Sequence, residues 1–99
     1  MNIRIQAIHF DADQKLVDFI EKKTQKLLRF FTRIQEIEVY LKLGTTDSQI
    51  NEKIVELKVR VPGHTLFAEE HSTTFEKAVD EAVESIRRQL KKHKEKQKK

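Results

Sequence analysis

Three groups of residues in this 99-residue sequence could do chemistry. The first is four histidines, His9, His64, His71 and His93; no two stand at ligand spacing and the chain has no cysteine, so neither a metal site nor thiolate chemistry is expected. The second is a set of oxygen-bearing side chains. Asp11 and Asp13 could form a carboxylate pair, but both precede a helical pattern, where such oxygens cap backbone N–H groups. Ser72, Thr73 and Thr74 open a second helical pattern without a nucleophile's surroundings, and Asp80 has no neighbour in sequence to perturb it. No glycine-rich phosphate loop is present. The expectation is a protein with no catalytic residue, no metal, no cofactor and no small-molecule substrate, and hence not an enzyme.

The third group is cationic. Residues 87–99, "RRQLKKHKEKQKK", hold eight Lys/Arg and one acid; residues 14–33 hold six and two; residues 34–86 hold five bases against eleven acids. Two basic segments thus flank an acidic middle, a segregation suited to an extended polyanion. Bases at a helix C-terminus favour the macrodipole, which accounts for two or three of them but not eight. Phosphates supply the missing partner, each contact giving a log–log salt slope of about −0.7 to −0.9. At ~100° per residue, Lys15, Lys22, Lys26, Arg29 and Arg33 fall in a sector of roughly 60° on one helix. Asp18 and Glu21 lie outside that sector, and Lys23 lies on its flank. Ordinary solvation, with Asp18 and Lys22 as an i,i+4 pair, is the competing reading. Arg87, Arg88, Lys91, Lys92 and Lys94 surround the end of a second helix. Arg88 can grip a phosphate bidentately, while Lys92 and Lys94 act as point charges. Regular helices suit RNA read by shape, because the A-form major groove excludes side chains.

The elements that carry these bases follow from hydrophobic period. "IRIQAI" (3–8) alternates as a short strand. An amphipathic helix follows to about residue 31, with Leu16, Ile20, Thr24, Leu27 and Phe31 as its stripe. Residues 36–43 and 53–61 alternate strictly, separated by the loop "GTTDSQ". Pro62-Gly63 fits the centre of a type II turn, and a shorter strand returns over about 64–70. Its facing is ambiguous, since Leu66 and Ala68 compete with Phe67 for the inside. "TTFE" reads as a capping box, Thr73 the cap and Glu76 reaching back. It opens a helix of about 74–96 on Phe75, Val79, Ala82, Ile86 and Leu90. Beyond Leu90, about two turns are expected to have nothing to pack against. Phe30 sits at the stripe's edge, and Tyr40 is the plausible exposed aromatic. The order is β-α-β-β-β-α, an α+β domain with one four-stranded sheet and two helices packed on one face.

"RQLKKHKEK" (88–96) after "FEKAVDEAVESI" (75–86) resembles the second helix of the ribosome hibernation promoting factors, also called ribosome-associated translation inhibitors. The matches to its Tyr-x-Ala-Ile-Asp, Arg-Gln-Leu and Lys-His/Tyr-Lys pattern are Phe75, Ala78, Val79, Asp80, Arg88, Gln89, Leu90, Lys92, His93 and Lys94. "KKTQKLLRFFTRI" (22–34) is similar to the family's first-helix segment at Lys23, Lys26, Leu27, Phe30, Phe31, Arg33 and Ile34. Thr73 stands where that family often has Asp, and Phe75 replaces a common Tyr. The resemblance spans essentially the whole chain and implies a fold similar to double-stranded-RNA-binding domains. It also implies binding of the small ribosomal subunit and its rRNA, overlapping mRNA and tRNA positions, so that translation stops in stress or stationary phase. The family's basic helix positions fall on Lys23, Lys26, Arg33, Arg88, Lys92, Lys94 and Lys96. The wheel favours Lys22 over Lys23, so the two readings differ there.

The expectation is one domain over 1–99, cytoplasmic, without the long form's dimerisation domain. No apolar run reaches the roughly 20 residues needed to span a bilayer. The competing functions are a general double-stranded-RNA binder and a protein-interaction module using the free sheet face around Tyr40, Lys42, Lys58 and Arg60.

Overall fold

The computed structural model describes residues 2–45 and 51–97, with side chains described over 3–44 and 52–94. Most of the "GTTDSQ" loop and the last two lysines lie outside these residues, as do the side chains of Glu95 and Lys96. The chain runs β1 (Asn2–Ala7), α1 (Gln14–Phe30), β2 (Glu36–Thr45), β3 (Asn51–Val61), β4 (His64–Ser72) and α2 (Phe75–Gln97). The strands lie in the order β1-β2-β3-β4. β1 pairs parallel with β2, from Asn2 opposite Glu36 to Ala7 opposite Leu41. β2, β3 and β4 form an antiparallel meander. Gly63, at φ 81, supplies the left-handed residue that the β3–β4 turn requires.

Alternation decides which side of the sheet is wet. Ile37, Val39, Leu41, Val55, Leu57, Val59 and Val61 are all buried beneath the two helices. In α1 the buried stripe is Leu16, Ile20, Thr24 and Leu27. Thr24 is tolerated there because its hydroxyl donates to the Ile20 carbonyl at 2.8 Å, leaving no polar group unpaired. In α2 the stripe is Phe75, Ala78, Val79, Ala82, Val83, Ile86 and Leu90. On β4, Ala68 is buried and Leu66 packs on the core, so Phe67 points outward, 47% exposed. The more exposed aromatic on the open face is therefore Phe67; Tyr40 is half-buried.

Three local expectations are corrected. Arg33, placed on the helical wheel with the bases of α1, lies past the helix end at Phe30, because Phe31 turns extended (φ −139, ψ 103) to enter the core. At the start of α2, the Lys77 N–H donates to the Thr74 hydroxyl at 3.2 Å and the Ala78 N–H to the Thr74 carbonyl. The cap is Thr74, one residue later than read, because Phe75 opens the helix and stacks on Phe10 at 5.4 Å. Thr74→Ala is expected to lower stability by about 1 kcal/mol in denaturant melts, and Thr73→Ala by close to nothing; the opposite order would restore the Thr73 box. Finally, packing of α2 does not end at Leu90. His93, in phase with Ile86 and Leu90, is buried edge-on against Phe31 (5.7 Å) and His64 (5.2 Å). Its Nε2 has no hydrogen-bond partner among the described residues, so the ring acts as an aromatic wedge.

Candidate nucleic-acid interface

The two helices run parallel, and three contacts fix their alignment. Lys23 of α1 meets Asp80 of α2 at 3.0 Å. One helix end further on, Arg87 and Lys94 of α2 sit over the Phe30 ring, at 5.8 and 5.3 Å from its centroid. Both C-terminal ends therefore lie at the same end of the molecule. Arg29, the base in the last turn of α1, and the bases towards the end of α2 thus lie where the macrodipoles carry their partial negative charge, which favours cations locally.

Each helix then presents its bases by period. Lys22, Lys26 and Arg29 are exposed, and Lys26 lines the groove between the helices with Lys23, Leu27, Asp80, Val83, Glu84 and Arg87. On α2, Arg87, Lys91 and Lys94 follow at spacings of four and three, so they rise in one column beside that groove. Arg88 and Lys92 form the next column, turned away from α1. Lys96 continues their spacing, though its side chain lies outside those described. Phe30 joins the two sets, its ring partly buried against the core and its face under two cations. At the stripe's edge Phe30 packs against the core, and cation–π contact with Arg87 and Lys94 adds to that packing.

Not every basic residue singled out in the sequence is free. Lys23 is held by Asp80 and also lies over the Phe19 ring at 5.3 Å. Asp80, expected to stand alone, thus acquires its partner from a distant part of the chain. Arg87 donates from Nε and Nη2 to the Glu84 carboxylate at 3.2 and 3.3 Å. Arg88 is exposed but lines a groove with Glu70, Asp80, Glu81 and Glu84, apart from α1. Lys22, Lys26, Arg29, Arg33, Arg88, Lys91, Lys92 and Lys94 have no carboxylate partner among the described residues. The Asp18–Lys22 pair of the competing solvation reading is not formed; Asp18 accepts from Gln14 instead, at 2.9 Å.

The opposite face of the molecule is electrostatically closed. Arg4 lies 3.8 Å from Glu36 and 3.9 Å from Glu38, Lys58 lies 3.8 Å from Glu38, and Lys42 lies 2.6 Å from Glu56. Arg60 pairs with Glu36. Tyr40 donates to Glu38 at 3.2 Å, and that carboxylate holds the phenol above its ordinary pKa. His71 is gripped through both ring nitrogens, by Glu69 at 2.8 Å and Glu52 at 3.2 Å. These hydrogen bonds raise its pKa. The four sheet-face residues considered for protein docking are thus each committed to a carboxylate. Among the described residues, no helix is long and apolar enough to cross a membrane.

Comparison with known proteins agrees with this architecture. Residues 3–98 match the family described as Sigma 54 modulation protein / S30EA ribosomal protein. A ribosome hibernation promoting factor of Pseudomonas putida is 30% identical over 97 residues, spanning 98% of this chain and 90% of its own. One from Azotobacter vinelandii is 32% identical over 97 residues, spanning 98% of this chain and 86% of its own. The structure of a ribosomal subunit interface protein from Coxiella burnetii superposes with a TM-score of 0.84 at 26% identity, covering 95% of this chain and 98% of that one. By the match over nearly its whole length, this chain belongs to the Sigma 54 modulation protein / S30EA ribosomal protein family.

Proposed function

We propose that the protein is a cytoplasmic ribosome hibernation factor. It acts by binding and not by catalysis. Its helix layer docks on rRNA of the small subunit, where its bulk occludes the mRNA and tRNA positions and halts translation in stress or stationary phase. The observation that carries this reading is the placement of the unpaired bases. Lys22, Lys26 and Arg29 along α1 and Lys91, Lys92 and Lys94 towards the end of α2 are exposed on one helix layer, whereas the bases of the sheet's open face are neutralised within the sheet. The names carried by the Pseudomonas putida and Azotobacter vinelandii relatives, and by the Coxiella burnetii neighbour, support the ribosome as the polyanion.

Gradient sedimentation of ribosomes with added protein, followed by probing of protected rRNA nucleotides, tests the assignment. The expected result is co-migration with small subunits, protection along the mRNA path, and poor displacement by a plain RNA duplex. Displacement by equal amounts of duplex would make the protein a general double-stranded-RNA binder instead.

A further inference from the structure

Two of the singled-out bases are paired with carboxylates, and both stand at the seam between the helices. Lys23 is held by Asp80 from across the groove, and Arg87 by Glu84 from one turn earlier on its own helix. Both carboxylates line the groove that Lys26 also lines. These pairs do little for folding, because ion pairs this exposed contribute roughly 0–1 kcal/mol. Their electrostatic consequence is larger. They quench two of the three bases that line the groove between the rows of α1 and α2, Lys26 being the one left without a carboxylate partner among the described residues.

We infer that Asp80 and Glu84 are specificity-determining residues that hold Lys23 and Arg87 out of indiscriminate phosphate binding. This inference rests on the reading of the helix layer as an RNA-binding surface. A generic polyanion can reach either row, but gains nothing from Lys23 or Arg87 unless it displaces a carboxylate already in place. A ligand whose phosphates meet both rows at once needs no seam contact to bind. The carboxylates therefore lower affinity for RNA at large more than affinity for a surface of matching shape, which is discrimination by a built-in competitor.

The test compares the double variant Asp80→Asn/Glu84→Gln with the control Glu76→Gln/Glu81→Gln. The control changes net charge equally, but neither of its carboxylates pairs with a base among the described residues. Binding is measured to a plain RNA duplex of mixed sequence and to purified ribosomes, with thermal melts run alongside. Release of two cations is expected to tighten duplex binding by about tenfold near 100 mM salt. The duplex salt slope steepens by about 1.4 to 1.8, two contacts' worth. The control gains clearly less, and ribosome affinity changes less than duplex affinity. Equal gains in the two double variants would reduce the effect to net charge and overturn the inference. Unchanged or weakened duplex binding would also overturn it, the latter by showing that the carboxylates orient Lys23 and Arg87 for binding. Failure of the wild-type protein to bind ribosomes in the same assay would instead remove the functional reading beneath it.

Discussion

Changing Lys92 and Lys94 together to Glu is expected to abolish co-sedimentation with ribosomes at moderate salt while leaving the protein folded, its thermal melt lowered by only several degrees. The two residues lie on different columns of α2, Lys94 above Phe30 beside the groove and Lys92 on the outer flank. Both are exposed and neither has a carboxylate partner among the described residues, so the fold loses only the exposed Lys94–Phe30 cation–π contact and the dipole interaction, about 1–2 kcal/mol. Two phosphate contacts carry a log–log salt slope of about −1.4 to −1.8, which at ~0.1 M salt is worth roughly 25- to 60-fold in affinity relative to 1 M. Reversal adds repulsion, for roughly a hundredfold or more in all. Retained co-sedimentation would mean that the end of α2 does not touch the ribosome.

Leu90→Ala should separate stability from binding in the opposite sense. Leu90 is fully buried and is the last aliphatic residue holding α2 to the sheet, with only His93 beyond it in the same stripe. Truncation of such a side chain removes transfer energy and leaves a cavity, at about 2–5 kcal/mol. A domain of this size has only about 5–15 kcal/mol in total. At about 4–8 °C per kcal/mol, the melting temperature should fall by at least roughly 8 °C. Below that melt the variant should still bind ribosomes with the wild-type salt slope, because no base has been removed. A loss below about 1 kcal/mol would contradict the packing of α2 described here.

The fold was legible in the sequence because its strands and helices have unmixed periods. Ile37, Val39 and Leu41 alternate without a break, and Phe75, Val79, Ala82, Ile86 and Leu90 hold helical spacing throughout. Where two patterns fit, the sequence was silent: on β4 both Leu66/Ala68 and Phe67 are apolar, and only packing against α2 chooses between them. His93 did carry a signal, since it continues the phase of Ile86 and Leu90, but its polar ring masked its place in the stripe. His9 adopts φ 67 with no glycine to announce the bend. The basic rows were readable as a period on each helix. Their joining at Phe30, and the quenching of Lys23 by Asp80, depend on how two distant helices align, which no local spacing encodes.

On the proposed reading, the free bases of the two helices form one phosphate-binding surface. Equilibrium binding to isolated small subunits across 50–300 mM KCl tests it most directly. With Lys22, Lys26, Arg29, Lys91, Lys92 and Lys94 engaged, log affinity should fall with log salt at a slope of about −4 to −5. A slope near zero would contradict the account, because binding would then owe nothing to these bases.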